Sequence, residues 1–317
     1  MKVPKSYVRP LRENSMELDK IITGDSAVVL QSFPPDCIDL TVTSPPYDNL
    51  RTYNGFVFDF ETIAKQLFRV TKAGGVVVWV VGDSVENGGV TLTSFIQALA
   101  FKEVGFTVHQ VMIYEKTGHP FPPSNRYYQQ TEYMFILSKG TPKTTNLLRE
   151  KVTYKNKRNL QPLTRQADGS MERMKYKIGN DDRVKDNIWR YATGGGLSAT
   201  DDYGHKHPAI FPEDLARDHI LSWSNEGDIV LDCFTGSGTT LKMAKMLNRH
   251  YLGIEISPEY VTLAEKRLLA TPVPLFGQGR GLTLPAPDGG DSAASEQLST
   301  PEVLSTLQGE SNPAHRK

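Results

Sequence analysis

The stretch "DIVLDCFTGSGTTLKMAKMLNRHYLGIEISPEYVTLAEKRLL", residues 228–269, decides the fold. An apolar run ends in Asp232, the chain breaks at Gly236 and Gly238, helical spacing of apolar residues follows, and a second apolar run ends at Glu255. Ser257 followed by Pro258 starts a further helix, because proline lacks an N–H that the first helical turn would leave unbonded anyway. The order is strand, glycine turn, helix, strand, helix. Glycines at such a turn let backbone amides approach a ligand at the helix N-terminus, with Asp232 and Glu255 at the ends of adjacent strands. A nicotinamide site uses a similar device but expects G-x-G-x-x-G; position 241 is Leu, which disfavours a dehydrogenase. Glu255, seventeen positions beyond Gly238, suits a carboxylate that binds both ribose hydroxyls of an adenosine.

Working outward, residues 19–140 alternate strand and helix patterns. "KIITGD", "IDLTVT" and "VVVWVV" read as strands, the last buried on both faces. "FETIAKQLFRV" puts Phe60, Ile63, Ala64, Leu67 and Phe68 on one helical face, and Gly74 and Gly75 are expected to close that helix. A helix near 91–103 and two strands, "FTVHQVMIYEK" and "TEYMFILSK", follow. "FPEDLARDHILSWS" reads as a helix leading back to residue 228. This alternation predicts an α/β domain with a mostly parallel sheet covered by helices. One strand stops abruptly: "IDLTVTSPPYDNL", residues 38–50, runs into Thr43, Ser44, Pro45, Pro46 and Tyr47, residues that punctuate a strand or serve a site at its end.

The pattern lapses between about 139 and 205. From Lys139 to Arg190 there are fourteen Lys or Arg against six Asp or Glu, whereas the whole chain balances 36 against 36. A solvated insertion is one reading. A basic segment carrying Tyr154, Tyr176, Trp189 and Tyr191 also suits a polyanionic partner, and nucleic acid is the expected one. After residue 270 the chain is rich in Pro, Gly, Ser and Glu, and a disordered tail is expected over 270–317.

Cys37 and Cys233 form no CxxC or Cys/His spacing, so neither a disulfide framework nor a zinc site is indicated. His205 and His207 lack further ligands nearby, and no metal is expected. The N-terminal twenty residues lack the apolar core of a signal peptide and no apolar run reaches membrane-spanning length; a soluble, cytoplasmic protein with no membrane association is expected.

Four stretches together, "VTSPPY" (42–47), "HPAIFPEDLA" (207–216), "LDCFTGSGTT" (231–240) and "YLGIEISPEYVTLAEKRL" (251–268), resemble the DNA amino-methyltransferases of the beta arrangement, in that family's order. The resemblance covers roughly residues 19–269. It implies a Rossmann-like, S-adenosyl-L-methionine-dependent methyltransferase fold, circularly permuted, with an inserted target-recognition region. The expected parts are an arm over 1–18, a catalytic half over 19–138, the recognition insertion over 139–205 and a cofactor half over 206–269. By the same resemblance Asp232, Phe234, Gly236 and Gly238 form the cofactor loop, Glu255 binds ribose and Asp25 in "ITGDS" lies near the adenine. Phe211 and Pro212 are expected to close over the methionine end.

The resemblance also gives the stopped strand a purpose. A base's exocyclic amino nitrogen is a poor nucleophile, since its lone pair is delocalised into the ring. The Ser44 hydroxyl and Pro45 carbonyl would accept both amino hydrogens and aim the lone pair at the methyl donor, Pro45 and Pro46 would hold that carbonyl still, and Tyr47 would stack on a base flipped from double-stranded DNA. Transfer is then direct, by proximity and preorganised acceptors. A ring-carbon mechanism needs a cysteine after a proline; both cysteines here follow aspartate. Ser after Thr favours cytosine N4 over adenine N6, though adenine enzymes with Ser occur. Methylation of RNA or of a protein amide, and a non-catalytic DNA-binding relative, are the other readings. A homodimer is a family expectation.

Overall fold

The computed structural model describes residues 16–46, 58–117, 125–151, 163–173, 182–193, 198–204 and 212–272. The chain divides into a unit of Met1–Pro274 and a second of Leu275–Lys317; all described residues belong to the first. The expected tail beyond residue 272 and most of the expected arm lie outside the described residues.

The first half contributes β1 (Lys20–Thr23), α1 (Ser26–Val29), β2 (Ile38–Thr43), α2 (Phe60–Val70), β3 (Thr71–Val81), the short pair β4 (Val85–Glu86) and β5 (Gly89–Val90), α3 (Thr93–Val104), β6 (Thr107–Lys116) and β7 (Thr131–Ser138). The middle holds β8 (Arg149–Lys151), β9 (Leu163–Arg165), β10 (Met171–Arg173), β11 (Asp182–Val184) and β12 (Ile188–Tyr191). Then come α4 (Glu213–Trp223), β13 (Ile229–Asp232), α5 (Thr239–Met246), β14 (His250–Glu255) and α6 (Pro258–Ala270).

Eight strands form one sheet in the order β1-β14-β13-β2-β3-β7-β6-β12. Both pairings of β7, with β3 and with β6, are antiparallel, and every other neighbouring pair is parallel. The mostly parallel α/β sheet expected from the alternation is what forms. β3 shows why its sequence is apolar throughout: Val77, Trp79 and Val81 face a core with Leu30, Ile63 and Leu67, while Val76, Val78 and Val80 face another with Leu215, Ile220 and Met243. Successive side chains of a strand point to opposite faces, so a strand covered on both sides has no polar position. The indole N–H of Trp79 donates to Gln97 Oε1 at 2.8 Å, which removes the cost of burying it.

Two expectations are corrected here. Helix α2 stops at Val70, and Gly74 and Gly75 lie inside β3. There the register against β2 slips, Ile38 facing Thr71 and Leu40 facing Val76. Gly74 takes φ +78°, and a Cβ on Gly75 would sit 2.9 Å from the Asp39 carbonyl oxygen, so the glycines serve a bulge rather than a helix end. Trp189 and Tyr191 are buried, at 6% and 7% exposure, in the core beneath α4 and offer no surface to a polyanion. Their strand, β12, lies within residues 139–205 yet extends the main sheet by pairing with β6. Tyr154 and Tyr176 lie outside the described residues.

Candidate active site

The two expected motifs meet at the ends of neighbouring parallel strands. β2 runs into Thr43 and then Ser44 and Pro45, and β13 runs into Asp232; their register pairs Leu40 with Val230 and Thr41 with Leu231. The Thr43 hydroxyl donates to Asp232 Oδ1 at 2.7 Å, and the Phe234 amide donates to the same oxygen at 3.1 Å. The Thr240 hydroxyl, at the start of α5, donates to the Val42 carbonyl at 3.2 Å. The strand that carries Ser44 is therefore tied twice to the glycine turn. Burial pushes the Asp232 carboxyl up to about 6, and the bonds from Thr43 and Phe234 offset only part of that rise.

The turn itself is held at both ends. Gly236 has φ +50° and Gly238 φ +79°, left-handed conformations that cost other residues energy, and a Cβ on Gly238 would lie 3.0 Å from that of Ala264. Glu255, at the end of β14, accepts the Gly236 amide on Oε2 at 2.8 Å and the Ser257 amide on Oε1 at 3.0 Å. Each carboxylate oxygen keeps further lone-pair capacity for a ligand hydroxyl. The Phe234 ring meets Phe58 and Trp79 edge-on, with centroids 5.6 and 6.1 Å away, which anchors the turn on the aromatic core.

Asp25 follows β1, whose Thr23 faces Glu255, and Gly24 donates to the Glu255 carbonyl at 2.9 Å. The Asp25 carboxylate caps α1 by accepting the Ala27 amide at 2.7 Å, and the next residue, Ser26, donates its hydroxyl to the Cys233 carbonyl. The structure thus brings Asp25, Ser44, Pro45, Asp232, Phe234, Gly236, Gly238 and Glu255 to the same end of the central sheet. Pro46 closes the described part of its motif, and Pro212 sits directly ahead of α4 as its cap residue. Tyr47 and Phe211 lie outside the described residues, as do His205 and His207. Among the described residues no group of His, Cys, Asp and Glu could hold a metal, and no helix is long and apolar enough to cross a membrane.

Sequence reading named Thr43 only as one of the residues that stop the strand, and it missed the buried charges Glu213, Lys242 and Arg267 and the half-buried Asp201. Lys242 bridges Glu213 at 2.6 Å and Asp201 at 2.7 Å, and Arg267 reaches the same two carboxylates at 2.6 and 2.9 Å. Thr43 had a signal, a hydroxyl at the last position of a strand that runs into Ser44 and two prolines. Lys242 and Arg267 had none, because charges on a helix ordinarily mark its solvated face.

The family model described as DNA methylase, for N6 and N4 methyltransferases, matches residues 38–266. The orphan methyltransferase M.BamHII of Bacillus amyloliquefaciens is 57% identical over 237 residues, 74% of this chain and 89% of that protein. The type II methyltransferase M.BglII of Bacillus subtilis is 29% identical over 85% of this chain and 72% of its own. Among solved structures, the Thermus thermophilus protein TTHA0409, complexed with S-adenosyl-L-methionine, has TM-score 0.56 and 27% identity, covering 81% of this chain and 95% of its own. The cytosine-N4-specific PvuII DNA methyltransferase shares the fold at TM-score 0.60 and 21% identity, over 82% of this chain and 89% of its own. The residues present fit that cofactor: two left-handed glycines admit backbone to close approach, and a strand-end carboxylate faces the turn with acceptor capacity to spare. The chain belongs to the N6/N4 DNA methylase family, and is an S-adenosyl-L-methionine-dependent DNA methyltransferase of the beta arrangement.

Proposed function

We propose that the protein is a site-specific methyltransferase acting on the exocyclic amino nitrogen of a base flipped out of double-stranded DNA, with cytosine N4 as the target. The observation that carries this reading is the Thr43 to Asp232 hydrogen bond, which joins the end of the Ser44-Pro45-Pro46 strand to the glycine turn. Acceptors for the amino hydrogens and the cofactor turn then share one rigid support. When bound, the cofactor supplies the methyl group. The chain's part is to bind and orient. The Ser44 hydroxyl and Pro45 carbonyl accept from the amino group, Pro46 stiffens that carbonyl, and Tyr47 stacks on the base. Asp232, Phe234, Gly236, Gly238 and Glu255 hold the cofactor, with Asp25 toward its adenine and Phe211 and Pro212 toward its methionine end.

The basic stretch within 139–205 is read as the recognition region. Exposed Lys143, Lys151, Arg165 and Arg173 support contact with phosphates. The same reading takes the protein as a homodimer. Support comes from α3 and its flank, where Leu92, Phe95, Ile96 and Leu99 recur at helical spacing and are 41–62% exposed.

Digesting duplex DNA to nucleosides after reaction, and weighing the products, tests the target. Cytosine methylated on its amino nitrogen is expected; methyladenine would move the target, and ring-methylated cytosine would overturn the mechanism. With the same assay, Ser44→Ala is expected to lower turnover by roughly 10²-fold while changing affinity for either ligand far less. Wild-type turnover in that variant would remove Ser44 from the chemistry.

A further inference from the structure

Arg267 lies on α6 at 1% exposure, in a stretch, "AEKRLL", that reads as an ordinary helix surface. Its guanidinium joins four parts of the chain. Nη1 donates to the Ser237 carbonyl at 3.1 Å and reaches the Ser237 and Thr239 hydroxyls at 3.2 and 2.8 Å. Nη2 donates to Glu213 Oε1 at 2.6 Å, at the start of α4, and Nε donates to Asp201 Oδ2 at 2.9 Å. Lys242, on α5, bridges the same two carboxylate oxygens and donates to the Thr200 hydroxyl at 2.8 Å. Thr200 in turn donates to Glu213 Oε2 at 2.8 Å, and Asp201 Oδ1 accepts the Gly204 amide at 2.9 Å.

We propose that Arg267, acting with Lys242, Glu213 and Asp201, is a positioning residue that sets the shape of the cofactor turn and fastens residues 198–204 to it. The inference rests on reading residues 232–238 as the cofactor site. The peptide between Ser237 and Gly238 connects two left-handed glycines, and it is gripped on both sides. Its carbonyl accepts from Arg267, and its N–H donates to the Thr235 carbonyl at 2.8 Å. Glu255 holds the Gly236 amide by a separate hydrogen bond. Without Arg267 the Ser237 carbonyl loses that partner and the peptide is held only through the Gly238 N–H bond to Thr235, so the turn is less firmly fixed in one shape.

The cluster contains two cations and two carboxylates, so it is neutral as a whole, and removing one member leaves the others buried and unbalanced. Lysine is a poor replacement for the arginine, because one ammonium nitrogen cannot span the Ser237 carbonyl, Glu213 and Asp201, which the guanidinium reaches from three separate nitrogens. Residues 198–204 close over this group only because position 204 is glycine. A Cβ there would lie 2.6 Å from the Ala199 Cβ and 3.0 Å from Arg267 Nη2. The end of the expected recognition region is thereby locked to the back of the cofactor turn.

Calorimetric titration with S-adenosyl-L-methionine tests this on the full chain, comparing wild type with Glu255→Ala, Arg267→Lys, Asp201→Asn and Gly204→Ala. Amide hydrogen exchange at 236–239 is followed in the cofactor-free proteins, below their melting temperatures. Arg267→Lys is expected to bind on the order of tenfold more weakly or worse and to exchange faster at Gly238, with Asp201→Asn and Gly204→Ala shifting the same way by less. If Arg267→Lys lowers only the melting temperature, with wild-type affinity and exchange, the group is packing and the inference fails. If Arg267→Lys does not fold, the other two variants, which keep the guanidinium, decide it by the same two readouts. Loss of binding in Glu255→Ala alone would leave the cofactor site standing and sink the inference. Wild-type affinity in Glu255→Ala would overturn the site reading itself, and the inference with it.

Discussion

Asp232 and Asp182 are aspartates at strand termini in opposite settings. Asp232 ends a strand inside the main sheet, fully enclosed, and burial pushes its carboxyl up to about 6 despite the bonds it accepts. Asp182 begins β11, a three-residue strand paired only with β8, and its carboxyl is held below the usual range by the hydrogen bond and charge of Arg149, 2.9 Å away. The difference divides the molecule. At Asp232 the charge is set by removal from water, so it depends on the neighbours that enclose it. In the middle segment, charge is set by partners in water: Arg149 with Asp182, Arg183 with Glu150 and Arg190 with Glu115. Such pairs contribute little to folding and can be exchanged without disturbing a core.

The largest effect that would sharpen this division is a change of methylated sequence. Replacing residues 139–187 with the corresponding stretch of a relative, and leaving β12 in place, should move the modified sites altogether while cofactor affinity stays at the wild-type value. Sequencing a genome with modification detection reads the first, and calorimetry the second. Unchanged sites would remove target choice from this segment. Coupled loss of cofactor binding would show that the two regions are not independent.

Next comes the pH dependence that burial imposes on Asp232. Its folded pKa stands above the unfolded value, so between about pH 4 and 6 the folded state holds the extra proton. The contribution to stability is fully present below the unfolded value and is lost as pH rises through about 6, by about 3 kcal/mol. Asp232→Asn lacks this dependence. Urea unfolding across that window should therefore show wild-type stability falling relative to the variant as pH rises. A difference between the two proteins that is constant with pH would mean that Asp232 is not held in the setting described.

How much was legible follows the same line. Helix α2 was readable because its apolar spacing repeats over eleven residues, and the second half of β3 because "VVVWVV" is apolar at six successive positions. The glycine turn was readable because φ above zero demands glycine locally. What failed depended on a partner far along the chain. Gly74 and Gly75 resemble a helix stop until the slipped register against β2 is known. Trp189 and Tyr191 belong to a strand of four residues, too short to show a period, whose burial comes from α4. Arg267 and Lys242 look solvated on their own helices and are buried only because Glu213 and Asp201 arrive from elsewhere.

The smallest effect concerns Asp182 itself. Asp182→Asn keeps the side chain's size and removes the charge that Arg149 answers, in a setting open to water. If the middle segment is as loosely coupled as its ion pairs imply, melting temperature and cofactor affinity should both stay at wild-type values. Arg149 would be released to neutralise at most one further phosphate, so the log-log slope of DNA affinity against salt should steepen by no more than about one. A steeper slope with nothing else changed would place Arg149 at the DNA backbone. A fall in cofactor affinity would instead mean that β8 and β11 are coupled to the turn, and the contrast between the two aspartates would no longer mark a boundary.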